Sequence, residues 1–230
     1  MSKNILITGV TGNLGQAVAQ RFLAEGYNVI GTVLPGDTIE MNFDTTGLEK
    51  IIVDLLDVGA VEKMLKGLIA RIGNIDVAVL TVGGFAMADI AGTKTADIEK
   101  QYKLNFETAY NVVQPLFPYM KEKGKGHIFM IGSRPGLSAS FSKGMIAYGL
   151  SKSLIFRLAE LMNEEAKGTD VVTSVIVPST IDTPQNRKSM PDADFDSWVN
   201  PGDIASVIHF YCTGEGSVVR EGVIKVYNKS

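Results

Sequence analysis

Short apolar runs alternate with longer stretches whose apolar residues recur at helical spacing. The runs are "NILITG", "YNVIGTV", "KIIVDLL", "IDVAVLTV", "GHIFMIGS", "DVVTSVIVP" and "GVIKVY". Rich in Ile and Val and nearly continuous, they have the pattern of parallel strands covered on both faces. Between the third and fourth, "DVGAVEKMLKGLIARIG" opens at Asp57, a good cap. It repeats apolar residues at Val58, Val61, Met64, Leu65, Leu68 and Ile72, which predicts an amphipathic helix. Longer helices are predicted over 95–123, 144–167 and 203–212. Such alternation implies crossover helices, and seven strands give an α/β, doubly wound, mostly parallel sheet of the Rossmann type with helices on both faces.

Two stretches interrupt the pattern. "LPGDTIEMNFDTTG", between the second and third strands, carries Pro, Gly and several Asp and Thr, and reads as loop. "STIDTPQNRKSMPDADFDSWVNPGD" is a long loop beside strand ends, which predicts a substrate lid at about 179–202. No linker or repeat appears, so residues 1–230 read as a single domain.

Composition narrows the classes. The 230 residues are 45% hydrophobic and 20% charged, ordinary for a soluble globular protein. The net charge of −3 argues against a nucleic-acid surface. Cys212 is the only cysteine, which rules out an internal disulfide. With His127 and His209 far apart, no metal site of the usual zinc ligands is expected. The apolar run in "MSKNILITG" is too short for a signal peptide, and no stretch approaches the ~20 residues of a membrane span. A cytoplasmic location without a membrane partner is expected.

The first strand runs into "TGVTGNLG", followed by "QAVAQRFLAEG". Gly9, Gly12 and Gly15 sit where strand becomes helix. Glycine there permits a tight turn and close approach of backbone N–H groups to a pyrophosphate, at a favourable helix N-terminus. Thr11, Asn13 and Leu14 belong to the same turn and are candidate cofactor contacts. A turn needed for packing alone is the competing reading; the position after strand one and at the head of a helix favours nucleotide binding. NAD sites place a carboxylate about 20 residues past the glycines, at the end of strand two. Here that strand ends Thr32-Val33-Leu34, both Thr32 and Val33 being candidate contacts, and Asp37 lies beyond Pro35 and Gly36 in the loop. The missing carboxylate removes one barrier to a 2′-phosphate, so between NAD(H) and NADP(H) the reading inclines to NADP(H).

Two Tyr-x-x-x-Lys pairs occur, Tyr119–Lys123 and Tyr148–Lys152. Residues four apart share a helix face. A nearby ammonium favours phenolate, and a general acid works best with a pKa near the operating pH. Tyr119–Lys123 lies at a helix end among Lys121, Glu122 and Lys125, where lysine suits the dipole. Tyr148–Lys152 opens a helix just after a strand ending in Ser133, on the edge where parallel sheets bind ligands. The second pair is the catalytic candidate.

Here the chain resembles the short-chain dehydrogenase/reductase family over essentially its whole length. "TGVTGNLG" resembles its cofactor turn; Asp54, with Leu55, looks like the acid near the adenine; Thr81, Val82 and Gly83 stand where the family has Asn-Ala-Gly. Asn105 resembles its helix asparagine, and Ser133, Tyr148 and Lys152 its catalytic trio, with Ser138 as the alternative serine. "PSTIDT", holding Pro178, Ser179, Ile181 and Thr183, resembles the motif at the carboxamide end of the nicotinamide. The resemblance implies that Tyr148 protonates the reduced centre, Lys152 holds the ribose and lowers the tyrosine pKa, Ser133 binds substrate and Asn105 steadies a water. A helix break for Asn105, a strand cap for Ser133 or Asp54, a core-edge place for Trp198 and a solvated one for Arg187 are the structural alternatives.

"GMIAYGLSK" and "IDTPQNRKSMPDADFDSW" resemble the dihydropteridine reductase branch, which reduces quinonoid dihydropterins. That branch lacks the serine and carries an aspartate at the position of Val33. The expectation is an NAD(P)H-dependent reductase acting on a small flat carbonyl or imine, pterin-like or otherwise. A dinucleotide-sensing scaffold without turnover and an extended-type epimerase or dehydratase are the competing readings. By the resemblance, the helices over 95–123 and 144–167 would pair in a homodimer or homotetramer.

Overall fold

A computed structural model describes residues 2–229. Seven strands, β1 (Asn4–Thr8), β2 (Asn28–Val33), β3 (Leu48–Ile52), β4 (Val77–Leu80), β5 (Lys125–Ile131), β6 (Asp170–Pro178) and β7 (Val223–Val226), form one sheet in the order β3-β2-β1-β4-β5-β6-β7. Every neighbouring pair is parallel. The chain winds outward from β1 to β3, then returns to lay β4 on the other side of β1. The carboxyl ends of β1 and β4 therefore flank the topological switch point, where such sheets open a crevice.

Both faces are covered. Helices α2 (Val58–Ile72), α4 (Thr108–Lys123) and α6 (Ile146–Glu165) bury Val61, Leu65, Val112, Leu116 and Ile155 against Leu6, Ala78 and Ile128. On the other face α1 (Asn13–Ala24) and α8 (Pro201–Tyr211) bury Val18, Phe22, Ile204 and Ile208 against Ile5, Ile7, Phe129 and Ile176. No helix of the described residues is long and apolar enough to cross a membrane.

Several expectations are corrected. The outer strands β3 and β7 are half-buried or exposed, because an edge strand lacks a neighbour on one side. Strand β3 stops at Ile52, so Asp54 and Leu55 lie beyond it. The helix predicted over 95–123 is α3 (Thr95–Tyr102) and α4, joined by a π-helical turn at Lys103–Glu107. Helix α8 starts at Pro201, two residues early, because the Asn200 side chain accepts from the Gly202 N–H and caps it. The predicted lid holds a short helix, α7 (Pro184–Ser189). Thr183 caps it and Pro184 fills its first position, a start signal present in the sequence.

Candidate active site

The glycine turn leaves β1 at Thr8. A Cβ at Gly15 would collide with the Gly9 carbonyl, so only glycine lets α1 begin this close to the strand. Gly12 caps α1 without a side chain, and the first turn holds no acidic residue. The N–H groups there are left for an anion, at the positive end of the helix. Two expected contact residues fasten this turn: the Thr32 hydroxyl accepts from the Gly9 N–H at 3.1 Å, and the Thr81 hydroxyl donates to the Thr8 carbonyl at 2.6 Å. Leu14 and Val33 are buried in the α1-side core, which takes their side chains away from a ligand. Asp54 accepts from the Leu56 N–H at 2.9 Å, the capping alternative. Leu55 is buried, and its carbonyl accepts from Asn111 at 2.9 Å.

From the turn the crevice continues through β4. Val82 packs against Gly9, and a Cβ at Gly83 would stand 2.7 Å from the Asn105 Oδ1 and 3.1 Å from the Lys152 Nζ. At both the turn and residue 83 the space a Cβ would need is filled by protein atoms, so glycine is what lets the α1 N-terminus, β4 and Lys152 come together along one crevice. Asn105 lies on the π turn and is buried. Its amide accepts from Gly84 N–H at 2.9 Å and donates to Gln101 Oε1 at 2.8 Å and the Ser151 hydroxyl at 3.2 Å.

Helix α6 brings Tyr148 and Lys152 to the same edge. The Tyr148 phenol is hydrogen-bonded to the Ser133 hydroxyl. Ser133 also accepts from Gly136 N–H at 3.1 Å, capping α5 (Arg134–Leu137). Ser133 is therefore both the cap and the tyrosine partner, whereas the Ser138 hydroxyl pairs with Ser140 at 2.9 Å. The Lys152 ammonium is buried and donates to the Ile131 carbonyl at 2.8 Å. Burial pulls it down to about 8. Burial also raises the Tyr148 phenol above its ordinary range, opposed by the Ser133 bond. The expectation that Lys152 lowers the tyrosine is thus corrected: its ammonium turns to Ile131.

The other pair is elsewhere. Helix α4 ends where β5 begins, at the amino-terminal edge of the sheet, and there Tyr119 donates to the Gly73 carbonyl at 2.5 Å. Two depressions, of about 990 and about 500 Å³, also open on that edge, among Asn4, Asn28 and Asp76 and around His127. Neither reaches Tyr148, and the polar groups that converge on a reacting centre lie at the opposite edge.

The sequence reading missed one residue and set another aside. Phe85 is 60% exposed, and its ring stands edge-on to Tyr148 at 5.0 Å between centroids. It follows the glycine pair 83–84, a position that carried no signal of its own. Asp37, assigned to the loop, returns to the turn: the Thr11 hydroxyl donates to its carboxylate, which also accepts from Ile39 N–H at 2.9 Å. These two bonds hold its carboxyl below the usual range.

The lid is tied down at both ends. Asn13 of the turn donates to Gln185 at 2.8 Å, and Ile181 pairs with Val199 across the lid base. Arg187 makes a two-pronged pair with Asp182 at 2.6 and 2.7 Å and lies over Phe195, yet stays exposed to solvent, as the structural alternative had it. Trp198 is buried beside Phe195, the core-edge alternative. Pro178 ends β6, and the Ser179 hydroxyl donates to the Tyr227 carbonyl at 2.9 Å. Asn228 donates to the carbonyls of Asp196 and Trp198, at 3.0 and 2.8 Å.

Comparison with known proteins places these features in context. The family described as short chain dehydrogenase matches residues 3–194. The chain is 25% identical over 242 residues to the 3-oxoacyl-[acyl-carrier-protein] reductase FabG of Thermotoga maritima, covering 97% of this chain and 96% of that one. It is 28% identical over 240 residues to the dihydropteridine reductase of Dictyostelium discoideum, covering 100% and 96%. Among solved structures, ElxO with NADP bound has a TM-score of 0.85 at 22% identity, covering 98% and 97%. The ligand-free aldohexose dehydrogenase of Thermoplasma acidophilum has a TM-score of 0.83 at 22% identity, covering 98% and 92%.

Proposed function

The chain belongs to the short-chain dehydrogenase family and is an NAD(P)-dependent oxidoreductase, and we propose that Tyr148 is its general acid toward a flat carbonyl or imine substrate. When bound, the reduced nicotinamide supplies the hydride. Tyr148 gives its phenolic proton to the substrate oxygen or nitrogen as the neighbouring carbon takes that hydride. Ser133, hydrogen-bonded to the phenol, orients the same heteroatom. Lys152, whose ammonium lies beside Gly83, holds the ribose hydroxyls. Asn105 fixes the Gly84 backbone and the Ser151 hydroxyl beside it. The backbone N–H groups of Thr11, Asn13 and Gly15 take the pyrophosphate where Gly9 and Gly12 let it approach, with Ile181 and Thr183 at the far end. Residues 179–202 close over the site as the lid of a single domain.

The observation that carries this reading is the hydrogen-bonded Tyr148–Ser133 pair beside a buried lysine at the switch point. The Phe85 ring supports a flat substrate, since an exposed aromatic edge beside the acid offers stacking area. The likeness to a dihydropteridine reductase supports a quinonoid dihydropterin; Ser133 supports an ordinary carbonyl, in keeping with the name of the FabG relative.

The test is titration with NADH and NADPH, then turnover of quinonoid dihydropterins against a panel of carbonyls, read by loss of the reduced nicotinamide. Tyr148→Phe is expected to lower kcat by about 10²–10⁴-fold while dinucleotide affinity is kept. Full activity in that variant removes the mechanism. Dinucleotide binding with no turnover across the panel favours the sensing scaffold.

A further inference from the structure

We infer that Asp37 reads the 2′ position of the adenosine ribose and makes this enzyme selective for NADH over NADPH. The inference rests on the dinucleotide reading above. A strand-end carboxylate commonly takes that role, about 20 residues beyond the glycines. Strand β2 offers none: Val33 is buried in the core, and Leu34 is apolar. The chain instead turns at Leu34–Asp37, closed by the Asp37 N–H on the Leu34 carbonyl at 3.0 Å, with Gly36 at a φ of +83. That turn delivers a carboxylate at the sequence distance from the glycines that the strand-end residue would have.

Its placement is fixed from two sides. One oxygen takes the hydroxyl of Thr11, which lies between Gly9 and Gly12 in the phosphate turn. The other takes the Ile39 N–H at 2.9 Å. Each carboxylate oxygen has two lone-pair positions, so each retains one for a ribose hydroxyl. The side chain is half-buried beside the phosphate turn and stays accessible. Its charge is secure at neutral pH, because both bonds favour the ionised form.

A ribose hydroxyl is a donor that this carboxylate accepts. A phosphate monoester carries nearly two negative charges at neutral pH and donates nothing, so it meets like charge a few ångströms away. Lys50 on β3 is the cation whose field reaches Asp37. It offsets part of the repulsion and cannot supply the fork of donors with which arginine grips a phosphate.

Direct binding tests this without turnover. Calorimetric titration of the wild-type protein is expected to give a Kd for NADH at least about thirtyfold below that for NADPH, a modest share of what a close like-charge contact disfavours. Asp37→Asn keeps the shape and the Ile39 cap. It should weaken NADH about five- to tenfold and strengthen NADPH, bringing the ratio near one. The fragments 5′-AMP and adenosine 2′,5′-bisphosphate should show the same reversal as competitors. Wild-type protein that binds NADPH as tightly as NADH, or an Asp37→Asn variant with an unchanged ratio, overturns the assignment while leaving the oxidoreductase reading intact. Binding of neither dinucleotide overturns both.

Discussion

Lys152 is an ammonium buried to 5% exposure, held by a backbone carbonyl rather than a carboxylate. Burial lowers its folded value to about 8, against 10.5 for the free side chain. The unfolded chain therefore keeps its proton to about pH 10.5, whereas the folded one releases it near 8. Between those values the unfolded state binds more protons, so stability rises with pH. Below pH 8 the buried charge costs the fold its full penalty. Lys152→Met should gain roughly 3 kcal/mol at pH 7, as an upper figure, and the gain should vanish above pH 10.5. Urea melts at the two pH values check this, and turnover should be lost in the same variant. The four-residue spacing put Tyr148 and Lys152 on one helix face. It did not say where a long flexible stem points, which is why the expected lowering of the phenol gave way to a bond with Ile131.

At the scale of elements, strands enclosed on both sides were the most legible, because continuous apolar runs have one physical reading in a parallel sheet. The edges were less so: β3 carries Glu49 and Lys50, and Ile52 is 70% exposed. Helix faces were ambiguous in sequence, and the fold divides them. Val112, Val113, Leu116, Phe117 and Met162 are core, whereas Leu150, Leu154 and Leu161 form an outward stripe on α6. Ile98, Tyr102 and Tyr110 stand exposed on α3 and α4, with Phe106 bridging the two tyrosines in a ladder of rings. We propose that these faces meet a second copy of the chain, since exposed apolar stripes of this kind are what homodimer interfaces bury. Sedimentation velocity should find a dimer or tetramer, and Leu154→Asp combined with Leu161→Asp should shift it to monomer with the melting transition still cooperative.

For the molecule as a whole, the switch between β1 and β4 decides where chemistry collects. The glycine turn and Ser133 were legible because each sits next to a strand end that the apolar pattern had already located, and Tyr148 because it opens the long helix that follows. Asp37 and Phe85 were not, since their meaning depends on how the loops at 34–47 and 84–94 return to the crevice. Asn105 was readable only by resemblance, because a π turn leaves no mark in apolar periodicity. The most distant such return belongs to the last residues, where Asn228 clasps Asp196 and Trp198 from a left-handed backbone φ of 53. A molecule clamped under the lid should therefore slow hydrogen exchange around Asn228. By reciprocity, Asn228→Ala should loosen that molecule by the factor through which it steadies the clasp.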